Sequence, residues 1–192
     1  MKATPNAPSK YGVFLIKKKG HHRAQAVSLL SRASARYRMA RSVSDITLET
    51  YTVRSMKTYC SILRLFLAYT AYEATVKAAK ELRIAGVEKV ETNVVLHKPL
   101  SVQLRGNQRL KKHLLEHSTN KDLKEKLVRF YGGSFDDLAC VGYAIRSVFA
   151  HGDLTTTDIG MGLAGDRKLL DAVAQALLDY SDDIFTKCVQ KL

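Results

Sequence analysis

Between Gly20 and Gly86 the chain contains neither Gly nor Pro. So long a run without the two strongest helix breakers predicts helices throughout it. Ala26, Leu30, Ala33, Tyr37 and Ala40 recur at spacings of four and three, which marks one apolar face of a first long helix. Ser42-Val43-Ser44-Asp45 supplies capping residues and a break. A second helix, or a pair, then runs toward Ile84, with Tyr59, Leu63, Phe66, Thr70 and Ala74 as its main stripe and Ile62 and Leu67 widening it. A stripe that broad belongs in the centre of a bundle.

Residues 86–107 read differently. Val87, Val90, Val94, Val95 and Leu96 raise strand propensity, Pro99 interrupts, and Gly106-Asn107 signals a turn, so a connecting excursion with a short hairpin is expected. Helices resume over Gln108–Glu116 and Lys121–Tyr131, and Gly132-Gly133 ends the latter. Ser134 is positioned to cap the next helix, with Asp136 and Asp137 in its first turn. That helix carries Leu138, Val141, Ile145, Val148 and Phe149 and meets His151-Gly152. A Gly- and Thr-rich loop over 152–165 precedes a last helix marked by Leu169, Val173, Leu177, Tyr180 and Ile184. The expected fold is all-α, an antiparallel bundle of about four to six helices. Residues 1–20 read as a flexible basic arm and 21–192 as a single domain.

Composition changes this picture little, and charge changes it more. The three cysteines, Cys60, Cys140 and Cys188, are too widely spaced for a disulfide framework or a metal knuckle. They fit buried apolar roles in a reducing cytoplasm. No targeting segment and no membrane span is expected: the most apolar stretch, Ile62 to Ala79, is interrupted by Arg64, Glu73 and Lys77. The net charge of +13 is uneven, with +10 in residues 1–44, where no acidic residue occurs, +7 in 45–131 and −4 in 132–192. Such a field favours polyanions, nucleic acid first. Lys17, Lys18, Lys19, Arg23, Arg32, Arg36, Arg38 and Arg41 are the candidates for tracking a phosphate backbone, whereas Tyr37 belongs to the apolar stripe and so to the core.

Chemistry concentrates at Arg146 and His151. Five apart, they lie 140° around a regular helix at about 100° per residue and do not share a face. They converge only if the helix ends near His151, which Gly152 favours because glycine tolerates the left-handed turn of a helix C-terminus. Histidine exchanges protons near neutral pH, and arginine offers a planar charged fork to a phosphate. Together they suit phosphoryl transfer on RNA with the 2′-hydroxyl as nucleophile, a reaction needing neither metal nor cofactor. The same two residues also suit a histidine cap beside a solvated arginine.

The segment Ala144-Ile145-Arg146-Ser147-Val148-Phe149-Ala150-His151-Gly152 resembles the Arg-x4-His signature of the HEPN superfamily. Ala71-Tyr72-Glu73 is similar to a less specific HEPN pattern. The resemblance implies an α-helical bundle acting as a metal-independent endoribonuclease, in some members a toxin or phage-defence protein held by an antitoxin protein. It further implies a homodimer in which two motifs line one cleft, with RNA as substrate and the cytoplasm as location. Arg146 would steady the scissile phosphate and His151 would act as acid or base. Ser147 stands where active members most often carry Asn, Asp or another larger polar side chain. The alternative carried by the resemblance is a non-catalytic module that binds nucleic acid or a protein partner. One competing pattern, His113-Leu114-Leu115-Glu116-His117, matches an inverted zinc-protease motif. Zinc would also need a distant third ligand, and Glu125 is the sole glutamate beyond residue 117, so the pair reads as the polar face of a lysine-rich helix.

Overall fold

A computed structural model describes residues 4–20, 22–87, 98–135, 137–151 and 164–192. Its centre is set by the amphipathic runs. The first long helix, α2 (Ala24–Ser42), buries Ala26, Leu30, Ala33, Tyr37 and Ala40, the stripe that the spacing predicts. Its neighbour α3 (Val53–Glu81) starts at Thr52, whose hydroxyl accepts from the Ser55 N–H at 3.2 Å. A hydrogen bond from Ile84 N–H back to Ala79 O closes its C-terminal turn, with Arg83 in the left-handed conformation at φ 54°.

The predicted stripe of α3 holds in part: Ile62, Leu67, Thr70 and Ala74 are buried, and the deepest face is shifted from Tyr59, Leu63 and Phe66. Ile62, Leu65, Ala68, Ala71, Ala78 and Ala79 are fully enclosed, whereas Tyr59, Leu63 and Phe66 are only partly buried. The reason is position: α3 packs against α2, against α7 (Leu138–Ala150) and against the final helix α8 (Ala164–Lys191). A central helix with several neighbours presents alanines where backbones approach. Its buried Thr70 and Thr75 hydroxyls return hydrogen bonds to carbonyls of the preceding turn, so neither is left unsatisfied.

Three short helices, α4 (Lys98–Gly106), α5 (Gln108–His117) and α6 (Lys121–Tyr131), pack among themselves and onto α7 and α8. From residue 98 onward the expected excursion is therefore helix, with Pro99 in the first turn, where a missing N–H is harmless. The hairpin expected further upstream lies, over 88–97, outside the described residues. Asn107 and Asn120 cap α5 and α6 through their side chains. Arg105 ties α4 to the end of α6 by donating to Phe130 O at 2.8 Å. Gly133, at φ 79°, turns the chain after α6. Asp137 rather than Ser134 caps α7, accepting from the Ala139 N–H, while the Ser134 hydroxyl donates back to Arg129 O.

The N-terminal stretch departs from the expected free arm. Residues Tyr11–Lys17 form a further helix, α1, laid on α8. Phe14 is 1% exposed and meets Phe185 edge-on at 5.4 Å. Ser9 hydrogen-bonds to Asp182 through its backbone N–H and its hydroxyl, and Lys17 donates to Val189 O. One aromatic side chain in a deep site is enough to dock a helix too short to form alone. Eight helices are thus present among the described residues, more than the four to six expected, and no helix there is long and apolar enough to cross a membrane.

Candidate functional site

Arg146 lies just before the last turn of α7, and His151 is the C-cap of that helix. The helix ends at Ala150, and the His151 N–H closes it by donating to Ser147 O at 3.1 Å. The ending falls where convergence of the two side chains would need it, although Gly152 lies outside the described residues. Their environments differ. His151 is exposed, while Arg146 and Ser147 are half-buried. The Nε of Arg146 is enclosed and has no hydrogen-bond partner among the described residues. An unmet buried N–H is costly, about 1–3 kcal/mol for an ordinary donor, so this group is an acceptor-seeking one. Among the described residues no hydrogen bond or ion pair joins Arg146 to His151.

Packing holds this end of α7 firmly. Phe149 meets Phe66 edge-on at 5.9 Å, and Tyr143, one turn before Arg146, stacks on Tyr69 at 5.7 Å with the rings 16° apart. Gly142 lets α7 approach that closely: a Cβ there would sit 2.9 Å from Leu177 Cδ1 and 3.1 Å from Tyr69 Cδ2. Tyr69 is close enough to feel its surroundings. Burial, then Glu73 and Tyr143, push its phenol well above the ordinary range, and the Arg146 guanidinium works against that rise.

Alongside this wall is a cleft of about 390 Å³ between α3, α6 and the first turns of α7. Tyr69, Tyr72 and Tyr143 form one side, and Lys77, Lys80 and Lys126 stand at it with Glu73, Asp122 and Asp137. No local pattern marks the cleft, because its walls are contributed from three separated helices. The nearest signal was Tyr143 three residues before Arg146, which places both on one face of α7.

The basic candidates are dispersed. Lys17 is committed to Val189 O, Lys18 lies over the Phe14 ring and Arg38 over Tyr11, each cation 5.8 Å from its ring centre. Lys19, Arg23, Arg32 and Arg41 are exposed and Arg36 is half-buried, with Arg32 donating to the Ser28 hydroxyl. These α2 residues are not brought beside the α7 site: α2 and α7 each pack on α3 and α8. Tyr37 is core, as its place on the stripe predicts.

His113 and His117 do share a helical face and stack at 4.3 Å, His113 being buried. Among the described residues no third Cys, Asp, Glu or His joins them in a group able to hold a metal ion. All three cysteines are buried free thiols, and burial raises the thiol of Cys60, of Cys140 and of Cys188, the last to about 12.

Among the described residues the fold is an all-helical bundle, with a half-buried Arg146 and an exposed His151 toward the end of α7 and a tyrosine-walled cleft along its first turns. No protein-family model, curated protein or solved structure matches the chain.

Proposed function

We propose that the chain is a metal-independent endoribonuclease of the HEPN type, cutting RNA by attack of a 2′-hydroxyl on the adjacent phosphorus. The observation that carries this reading is Arg146: a guanidinium whose Nε is buried without a partner among the described residues, five residues before an exposed histidine that caps the same helix. A phosphate oxygen is the acceptor that donor suits, and its attraction grows as charge builds on the phosphate. An imidazole beside it takes the proton from the 2′-hydroxyl or delivers one to the departing 5′-oxygen. The products are a 2′,3′-cyclic phosphate and a free 5′-hydroxyl. One histidine per chain supplies one of those roles. In a homodimer with the two α7 ends facing a common cleft, the second copy supplies the other.

In this reading the chain acts in the cytoplasm as a toxin or defence protein, with an antitoxin protein as a further partner. The deciding experiment is cleavage of a generic single-stranded RNA in EDTA by wild type, Arg146→Ala and His151→Ala. Wild type is expected to cut, and each variant to lose activity by about 100-fold or more. Intact RNA with wild type, or equal cutting by His151→Ala, overturns the proposal.

A second reading is a non-catalytic module that binds RNA or a protein partner. It is favoured by the lack of any hydrogen bond between Arg146 and His151 and by the exposed arginines of α2. It expects salt-dependent RNA binding that survives His151→Ala and weakens on charge reversal at Arg32 and Arg41.

A further inference from the structure

The cleft beside Arg146 has a chemistry of its own. Its lining mixes three lysines with three carboxylates, so it is neutral by count, but the two signs are not equally committed. Glu73 is paired with Lys77 at 3.0 Å. Asp137 accepts the Ala139 N–H at the start of α7, and Asp122 lies in the first turn of α6, where a helix N-terminus offsets negative charge. Lys126 is exposed and in no ion pair among the described residues; after burial, Asp137 raises the Cys140 thiol in the cleft lining and Lys126 works against that rise. Lys126 is therefore an accessible cation on a lining that is neutral by count. Its opposite feature is the aromatic wall, where Tyr69 and Tyr143 are fixed by their mutual stack and by the close approach at Gly142. Burial keeps the Tyr69 phenol protonated and hence a hydrogen-bond donor. A volume of about 390 Å³ is within the roughly 300–1,000 Å³ usual for small-ligand clefts.

A planar wall beside an unpaired cation fits a ligand with a flat ring and an anionic group. We infer that this cleft seats one nucleotide of a single-stranded RNA, its base against Tyr143, which Tyr69 backs by stacking, and its phosphate toward Lys126. Tyr143 and Arg146 are three residues apart on one face of α7, so the wall continues directly toward the arginine. The seat would hold the nucleotide next to the phosphate at Arg146, and only the identity of that neighbouring phosphate rests on the endoribonuclease reading.

The test is calorimetric titration of the full-length His151→Ala protein with AMP, with ribose 5-phosphate and with a pentaadenylate RNA. AMP is expected to bind saturably, at least tenfold more tightly than ribose 5-phosphate, because aromatic–base stacking carries an effect of that size. Adding Tyr143→Leu should weaken AMP tenfold or more, whereas Tyr143→Phe, which keeps the ring and the fold, should retain it. Lys126→Glu, at an exposed site, should weaken AMP and the RNA several-fold. AMP should displace the pentaadenylate. Equal binding of AMP and ribose 5-phosphate overturns the inference, as does equal loss with Tyr143→Leu and Tyr143→Phe. So does AMP binding that leaves the RNA in place, which would make the cleft a site for free nucleotides. If these titrations behave as expected while wild type fails to cleave RNA, the endoribonuclease reading falls and the nucleotide seat stands. Cleavage with no AMP selectivity is the reverse case.

Discussion

Adding one methyl group at Gly142 tests how tightly α7 is held. On an open helix surface, replacing Gly by Ala stabilises by about 1 kcal/mol. At Gly142 the new Cβ would lie 2.9 Å from Leu177 Cδ1 and 3.1 Å from Tyr69 Cδ2. Leu177 is fully buried and cannot swing into solvent, and the Tyr69 ring is held by its stack on Tyr143. Overpacking of a filled core costs about 1–3 kcal/mol, so the net expectation for Gly142→Ala is a loss of about 1 kcal/mol. For a chain of this length that lowers Tm by about 2–4 °C. Gly165, in the first turn of α8 with nothing within 4 Å of its would-be Cβ, is the matched control, and Gly165→Ala should be neutral or stabilising. In a Leu177→Ala background most of the Gly142→Ala penalty should disappear, since the nearest atom has gone. Urea and thermal unfolding of wild type, the three single variants and the double variant measure this directly. If Gly142→Ala stabilises as much as Gly165→Ala, α7 is not packed as described and the tyrosine wall loses its support.

Other perturbations probe separate parts of the fold. Phe14→Ala removes the side chain that docks α1 and is expected to cost about 3 kcal/mol, with hydrogen exchange speeding first in residues 11–17. Arg64 donates to Asp171 at 2.9 Å and to Val43 O at 2.6 Å, but its side chain is 31% exposed, so Arg64→Ala should cost only about 1 kcal/mol in urea unfolding. The thiol of Cys188 is raised by burial from 9.0 to about 12, so folding favours its neutral form. Its contribution is complete below pH 9 and is lost as pH rises toward 12, which should appear as a falling urea midpoint over that window that Cys188→Ala makes shallower. For the same reason a thiol reagent at pH 8 should label none of the three cysteines quickly until the chain is unfolded.

How much was legible in the sequence depended on whether local spacing or distant packing decides the outcome. The α2 stripe was readable because that helix has one buried face, and Ala26, Leu30, Ala33, Tyr37 and Ala40 all lie on it. In α3 the same reasoning found Ile62, Leu67, Thr70 and Ala74 but placed Tyr59, Leu63 and Phe66 too deep and passed over Ala68, Ala71 and Ala78, since a helix packed on several sides buries small side chains at its closest contacts. The α1 helix was missed because its cause is Phe185, a residue far along the chain. Residues 98–106 were obscured by the valine-rich run before them. At the candidate site, the helix ending at Ala150 followed from the residues themselves. The burial of Arg146 Nε and the cleft did not; the cleft arises where helices distant in sequence meet.

In the proposed function the end of α7 breaks RNA by way of the RNA's own 2′-hydroxyl, and no other step is so exposed to experiment. It is tested most directly by incubating wild type in EDTA with two oligonucleotides of one sequence, all-ribose and all-deoxyribose, and weighing the products by mass spectrometry. The account expects 2′,3′-cyclic phosphate and 5′-hydroxyl ends from the all-ribose strand, an uncut deoxy strand, and no cutting of either by His151→Ala. Cleavage of the deoxy strand, linear 5′-phosphate ends, or an active His151→Ala protein would contradict it.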